Sequence, residues 1–147
     1  MRFPLCLALA LSLAQAQMTD SWPTYNGDFS GRRFSPLTEI NSSNLGQLSL
    51  SWFYRISAVG QQRGVGAPTI KSTPLMVNGV LYFTVPDHVF AVDARTGEEI
   101  WHYAWQDKGG HLVGNRGVGM YGEFLYFMTP DCWFISCLLY TSPSPRD

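Results

Sequence analysis

The chain has 147 residues, of which 14% are charged and 46% are hydrophobic, and its formal net charge is −1. It carries no basic cluster, so neither nucleic acid nor an anionic membrane surface is a predicted partner. Of three cysteines, only Cys132 lies in residues 17–136, the part of the chain expected to fold. One cysteine excludes an internal disulfide and a cysteine-ligated zinc site. Cys132 is therefore predicted to be a small apolar residue in a buried strand.

The first sixteen residues predict a secretory signal peptide. Arg2 supplies a positive charge, residues 3–13 are almost wholly apolar, and Ala14-Gln15-Ala16 is a small-x-small cleavage site. The alternative is a membrane anchor, but the apolar run is shorter than the about 20 residues needed to cross a bilayer. We therefore expect cleavage after Ala16, a mature chain without a membrane span, and a periplasmic or secreted location.

Short strands separated by turn residues dominate residues 17–136, and no long helical period is visible. Residues 48–56 alternate in polarity, which predicts a strand with Leu48, Leu50 and Trp52 on one face. Asn78-Gly79 separates two apolar runs, and this dipeptide is a strong signal for a type I′ hairpin. Four consecutive strands, each paired with the next, are predicted at residues 73–77, 80–84, 88–93 and 98–103.

An internal repeat predicts the architecture. The segment Leu81–Phe90 recurs as Leu125–Phe134 with shared Leu-Tyr-Phe, Pro-Asp and final Phe, at an offset of 44 residues. A period in the low forties with four short strands is typical of a propeller blade. The predicted fold class is therefore all-β, a partial β-propeller of about two to three four-stranded antiparallel blades. Because blades bury their faces on one another, we expect the parent protein to continue beyond residue 136.

The last eleven residues, Cys137–Asp147, resemble the in-frame translation of a transposase sequencing-library adapter. One choice of codons spells that adapter throughout, so we predict that these residues are not native; the alternative is a genuine polar tail. The expected organisation is thus a signal peptide at 1–16, the N-terminal part of the propeller at 17–136, and a foreign segment at 137–147. Removing residues 1–16 and 137–147 takes away Arg2, Arg146 and Asp147, and the net charge of the remaining chain is about −2.

Two motifs carry a family resemblance. Ala91–Trp101 fits A-x-D-x-x-x-G-x-x-x-W and resembles the tryptophan-docking motif of quinoprotein propellers, in which the tryptophan packs on the neighbouring blade. Trp101 is therefore predicted to be structural. The segment Trp22–Asn41 reads W-x-x-Y-N-G-D…R-x-S-P-L…I-N and resembles the opening of alcohol dehydrogenases that depend on pyrroloquinoline quinone (PQQ). This resemblance covers residues 20–136 and implies an eight-bladed parent.

Asn115-Arg116-Gly117 resembles the N-R-G motif of that family, whose arginine contacts a carboxylate of PQQ. PQQ is a planar tricarboxylate, and a guanidinium offers a fixed fork of donors that suits a carboxylate. Gly117 would let the backbone approach the ring. The alternative for Arg116 is a surface ion pair, which contributes little.

Two positions depart from the family pattern. Many members have two adjacent cysteines before N-R-G, where this chain has Gly110-His111. The family often has a PQQ-contacting glutamate two residues before Thr-Pro, where this chain has Lys71. Lys71 binds a PQQ carboxylate as a point charge, marks a branch of the family that has lost or altered the cofactor, or is an exposed lysine at a strand end.

The resemblance implies a periplasmic quinoprotein oxidoreductase that oxidises a small alcohol with PQQ and Ca²⁺ and passes electrons to an acceptor such as a cytochrome c. Its calcium ligands and catalytic aspartate come from later blades, so we assign no catalytic or metal-binding residue within 17–136 and expect this chain alone to be inactive. The alternative is a non-enzymatic propeller that acts as a binding or outer-membrane assembly scaffold. It explains the repeat equally well but explains Trp22–Asn41 and Asn115-Arg116-Gly117 poorly.

Overall fold

The computed structural model describes residues 21–56, 70–106 and 116–140. Within these ranges, two antiparallel sheets of four and three strands follow a single 3₁₀ turn at Leu45–Gln47. The first sheet contains β1 (Leu75–Val77), β2 (Val80–Val85), β3 (His88–Asp93) and β4 (Glu99–Ala104), and the second contains β5 (Gly119–Tyr121), β6 (Phe124–Met128) and β7 (Phe134–Leu138). The all-β prediction is confirmed.

The first sheet has the predicted order, with β1, β2, β3 and β4 adjacent in sequence and in space. Asn78 and Gly79 both have positive φ angles, 52° and 76°, as a type I′ turn between Val77 and Val80 requires. β1 begins at Leu75, two residues later than predicted. Beyond Leu75, the Ser72 hydroxyl bonds to the N–H and the carbonyl of Thr84, so a side chain contacts β2 there in place of a ladder residue.

The second sheet repeats the first, but its register changes after β6. Phe83 on β2 lies opposite Phe90, whereas the equivalent Phe127 on β6 lies opposite Ile135. The β6–β7 turn contains one additional residue, and Cys132 in this turn adopts a φ of 68°. The repeat offset is therefore 44 residues at β6 and 45 residues at β7. Phe90 and Phe134, which are identical in the sequence repeat, do not occupy equivalent positions in the two sheets.

Cys132 does not occupy the buried strand position that the sequence predicts. Its side chain is exposed in the turn that precedes β7. The turn is organised by Thr129, whose hydroxyl accepts a hydrogen bond from the backbone N–H of Trp133 at 2.9 Å. This local hydrogen bond closes a longer turn than the one between β2 and β3.

Tryptophan side chains join neighbouring structural units. The Trp52 ring lies flat against Gly97, so that a Cβ at Gly97 would stand 2.6 Å from the ring, and Trp52 Nε1 donates to the Ala94 carbonyl at 3.1 Å. Trp101 Nε1 donates in the same way to the Leu139 carbonyl at 3.1 Å. Trp101 is buried at this contact, which confirms its packing role.

The Ala94 and Leu139 carbonyls are equivalent acceptors. The Ala94 N–H bonds to the Gly79 carbonyl, and the Leu139 N–H bonds to the Glu123 carbonyl, in both cases in the turn before the second strand of the sheet. The Leu139 carbonyl also accepts from the Tyr82 hydroxyl at 3.1 Å. The same docking geometry is therefore used twice, as a blade repeat requires.

The segment 48–56 is extended but is not a strand, which corrects the prediction. It has no ladder partner among the described residues. Trp52, Tyr54 and Ile56 pack on a small cluster that includes Phe83 and Phe90. The packed positions alternate as predicted, with Trp52, Tyr54 and Ile56 on one face. Leu48 and Leu50, at the preceding alternate positions, are exposed, so the first sheet covers only the second half of the predicted face.

The main core lies between the two sheets. Its buried residues are Leu75, Val77, Tyr82, Val89, Ala91, Trp101, Leu125, Phe127, Cys137 and Leu139. The predicted domain limit at residue 136 falls inside β7, and Cys137 and Leu139 are buried in this core. The foreign origin of residues 137–147 stays a prediction.

No helix in the described ranges is long and apolar enough to cross a membrane. The predicted signal peptide and its cleavage site after Ala16 lie outside the described residues.

Candidate cofactor site

The predicted cofactor-binding residues come from two segments, one before β1 and one before β5. Lys71 and Arg116 have exposed side chains, and Gly117 is half-buried. Asn115, like Gly110-His111, lies outside the described residues. The structure thus describes three of the four predicted site residues.

Gly117 brings the two segments together. A Cβ built on Gly117 would stand 3.4 Å from the Ser72 Cβ and 3.6 Å from the Thr73 carbonyl oxygen. Gly117 also has a φ of 126°, a conformation that residues with a side chain rarely adopt. The residues flanking this contact are Lys71 and Arg116, so the fold brings the chain segments that carry the two predicted cationic groups together.

Ser72, which the sequence analysis did not single out, anchors the first segment. Its hydroxyl accepts a hydrogen bond from the Thr84 N–H at 3.1 Å and donates one to the Thr84 carbonyl at 3.0 Å. Thr84 is fully buried near the end of β2. The available sequence signal was a hydroxyl residue just before Thr73-Pro74, at the start of the predicted strand.

The electrostatics of the site favour an anionic ligand. Within residues 21–56, 70–106 and 116–140, the ion pair present joins Arg32 to Asp28 at 3.9 Å, and neither Lys71 nor Arg116 is paired. The surface ion pair considered for Arg116 therefore has no partner in these ranges. Two cationic side chains without an ion-pair partner among the described residues, on chain segments that Gly117 and Ser72 bring into contact, fit a planar polycarboxylate such as PQQ.

A calcium site is not formed by the described residues. They contain no group of three or more histidine, cysteine, aspartate or glutamate side chains placed to hold a metal ion. Calcium prefers six to eight oxygen ligands. We derive no step through calcium from this part of the chain.

A histidine pair lies apart from the site, on β3 and β4. His88 Nδ1 and His102 Nε2 are 2.8 Å apart, and the His102 ring stacks on Phe90 with centroids 4.2 Å apart. Burial, and secondarily the neighbouring His102, lowers the pKa of His88 to about 4. Burial also lowers the pKa of His102, although nearby Glu99 opposes the shift. The pair forms a neutral hydrogen bond, not a metal site.

This pair predicts acid sensitivity. Because the pKa of His88 is lower in the folded chain than the usual histidine value of 6.5, the unfolded chain takes up protons first as the pH falls. Stability should be complete above about pH 6.5 and decline towards pH 4, by about 1–2 kcal/mol after allowing for the half-exposed side chain. Urea unfolding across this range should show that the free energy of unfolding depends less on pH in His88→Gln than in the wild-type protein. Equal pH dependence in both proteins would contradict the prediction.

Comparisons with known proteins agree with the fold. Residues 22–125 match the sequence profile of the PQQ family described as "Glucose/ethanol/alcohol dehydrogenase, beta-propeller domain". A quinoprotein glucose dehydrogenase of Escherichia coli (strain K12) is 41% identical over 83 residues, which are 56% of this chain and 10% of that protein. A quinohemoprotein alcohol dehydrogenase of Comamonas testosteroni is 37% identical over 120 residues, which are 77% of this chain and 16% of that protein.

The solved structures give the same result. The crystal structure of quinohemoprotein alcohol dehydrogenase from Comamonas testosteroni superposes with a TM-score of 0.68 and 30% sequence identity, covering 84% of this chain and 18% of that chain. The chain therefore spans a small part of the length of its relatives. The match to the family profile nevertheless covers most of the chain from Trp22 to Leu125, and the chain belongs to the PQQ-dependent glucose/ethanol/alcohol dehydrogenase family of β-propellers.

Proposed function

We propose that this chain is the N-terminal part of a periplasmic quinoprotein oxidoreductase that oxidises an alcohol with PQQ and calcium. The observation that carries the proposal is the contact of Gly117 with Ser72, which brings together the segments bearing Lys71 and Arg116. The names of the Comamonas and Escherichia relatives, an alcohol and a glucose dehydrogenase, support a CH–OH donor as substrate. The word quinohemoprotein in the Comamonas name supports a haem protein, such as a cytochrome c, as electron acceptor.

The chain's own residues would bind and orient the cofactor. PQQ, when bound, supplies an ortho-quinone that takes up the two electrons removed from the alcohol. Arg116 would grip one carboxylate through two N–H donors, and Lys71 would act on another as a point charge. Gly117, having no side chain, would allow close approach of the backbone. No described residue is assigned to proton transfer or to calcium, so the chain alone should not oxidise alcohol.

The test begins with the gene. A long genomic read across the codon for Ser136 should show a reading frame that continues into further blades. The complete protein, purified and supplied with PQQ and Ca²⁺, should then bind PQQ saturably and reduce a dye when ethanol is added. A stop codon after Asp147 in the genome, or a complete protein that neither binds PQQ nor reduces the dye when PQQ is supplied, would overturn the proposal and favour the non-enzymatic scaffold.

A further inference from the structure

We propose that Ser72 is a positioning residue of the cofactor site, holding the segments of Lys71 and Arg116 at a fixed separation. This inference rests on the proposed function, since it assigns a role within the same site. Ser72 itself is assigned no contact with PQQ. It acts through the two segments that its hydroxyl and its Cβ connect.

The first step is the attachment of Ser72 to β2. The ladder between β1 and β2 begins at Leu75 opposite Tyr82 and includes no earlier residue of the chain. Thr84 lies two residues beyond Tyr82, where the ladder has no further β1 residue to offer. The Ser72 hydroxyl bonds to both the N–H and the carbonyl of Thr84, at 3.1 and 3.0 Å. One side chain therefore takes over the hydrogen bonding of a strand residue at a buried position.

The second step is the contact with the other sheet. The Ser72 Cβ is 3.4 Å from the position that a Cβ on Gly117 would occupy. At this distance the Gly117 backbone packs closely on Ser72. A shift of Ser72 would therefore move Lys71, its covalent neighbour, and would also remove the surface on which Gly117, the covalent neighbour of Arg116, packs.

The third step concerns the ligand. A rigid planar tricarboxylate has its carboxylates at fixed separations, so two cations bind it together only if their own separation is fixed. Ordering long, exposed side chains on binding costs free energy, and a supporting contact that is already formed lowers this cost. Ser72 supplies such a contact between Lys71 and Gly117.

The experiment compares Ser72→Ala, Ser72→Thr and Tyr54→Phe in the complete protein. PQQ affinity is measured by equilibrium dialysis at a temperature where all variants are folded, and Tm is measured in parallel. Ser72→Ala should weaken PQQ binding about tenfold, and Ser72→Thr, which keeps the hydroxyl, should restore much of the affinity. Tyr54→Phe removes a hydrogen bond to Glu99 on the far side of the same sheet and should leave the affinity within about twofold.

A double variant tests whether Ser72 acts through Lys71. The loss of PQQ affinity caused by Ser72→Ala should be smaller in a Lys71→Ala background, because the ammonium group that Ser72 positions is already missing. If Ser72→Ala does not yield folded protein, Ser72→Cys keeps the side-chain size, weakens the hydrogen bonds and should give an intermediate affinity.

The outcomes separate the two proposals. A wild-type protein that fails to bind PQQ overturns the proposed function, and the role of Ser72 with it. A wild-type protein that binds PQQ, with Ser72→Ala lowering Tm but leaving the affinity unchanged, overturns the positioning role alone. Fully additive losses in Ser72→Ala and Lys71→Ala would also contradict it.

Discussion

Replacing Gly97 with alanine should destabilise the complete protein by about 2–4 kcal/mol, more than the same change at Gly79. Both glycines have similar positive φ angles, 77° and 76°. They differ in their surroundings, since a Cβ at Gly97 would stand 2.6 Å from the Trp52 ring, whereas a Cβ at Gly79 would meet no atom within 4 Å. Gly79→Ala therefore measures the backbone cost alone, about 1–2 kcal/mol.

The excess at Gly97 is assigned to the displaced Trp52 ring and its hydrogen bond to the Ala94 carbonyl. Thermal and urea unfolding of the two variants give the comparison. In a Trp52→Ala background, the penalty of Gly97→Ala should fall to that of Gly79→Ala, because the clash has been removed. Equal destabilisation by both glycine substitutions in the wild-type background would show that Trp52 does not dock on Gly97.

Replacing Arg116 with alanine should weaken PQQ binding by the complete protein about 10- to 100-fold. The change removes a charged donor whose hydrogen bonds contribute about 1.5–3 kcal/mol, and within the described residues it breaks no ion pair. Arg116→Lys should retain part of the affinity, because an ammonium keeps the charge but loses the planar fork. Equilibrium dialysis with PQQ measures each affinity.

Arg95 provides the matched control for this experiment. It is an exposed arginine in the turn between β3 and β4, where its backbone N–H bonds to the Asp93 carboxylate. Arg95→Ala removes the same charge from the protein but lies outside the proposed site, so PQQ binding should be nearly unchanged. If Arg95→Ala and Arg116→Ala weaken binding equally, the effect is one of net charge and Arg116 does not contact PQQ.

The local order of the first sheet could be predicted from the sequence because its determinants are close together in the chain. Asn78-Gly79 accepts two positive φ angles and so specifies the turn between β1 and β2. The four apolar runs are joined by short turns, and consecutive strands connected in this way pair as neighbours. The offset of 44 residues predicted a blade repeat, and the second sheet has the same order over three strands.

The register of β7 could not be predicted by aligning identical residues in the two copies of the repeat. The identity of Phe90 and Phe134 suggested an unbroken repeat, but the turn hydrogen bond from the Trp133 N–H to Thr129 accommodates one more residue. Similarly, the alternating polarity of residues 48–56 predicted the packed face, which carries Trp52, but also predicted a strand that the structure does not show. Only the second half of this face is covered, because Phe83 and Phe90 lie beside Trp52, Tyr54 and Ile56 and not beside Leu48 and Leu50.

The sequence by itself determined the all-β repeat, the hairpins and the cationic residues of the proposed site, because turn chemistry, alternation and residue type are local properties. Only the tertiary structure decided that Gly97 receives Trp52, that Ser72 completes the hydrogen bonding of β2, and that Gly117 rests on Ser72. These contacts join residues far apart in the chain, and their existence depends on the packing of one sheet against the next. The sequence shows which backbone conformations a glycine allows and which hydrogen bonds a serine can form, but the residues packed against them decide which of these occur.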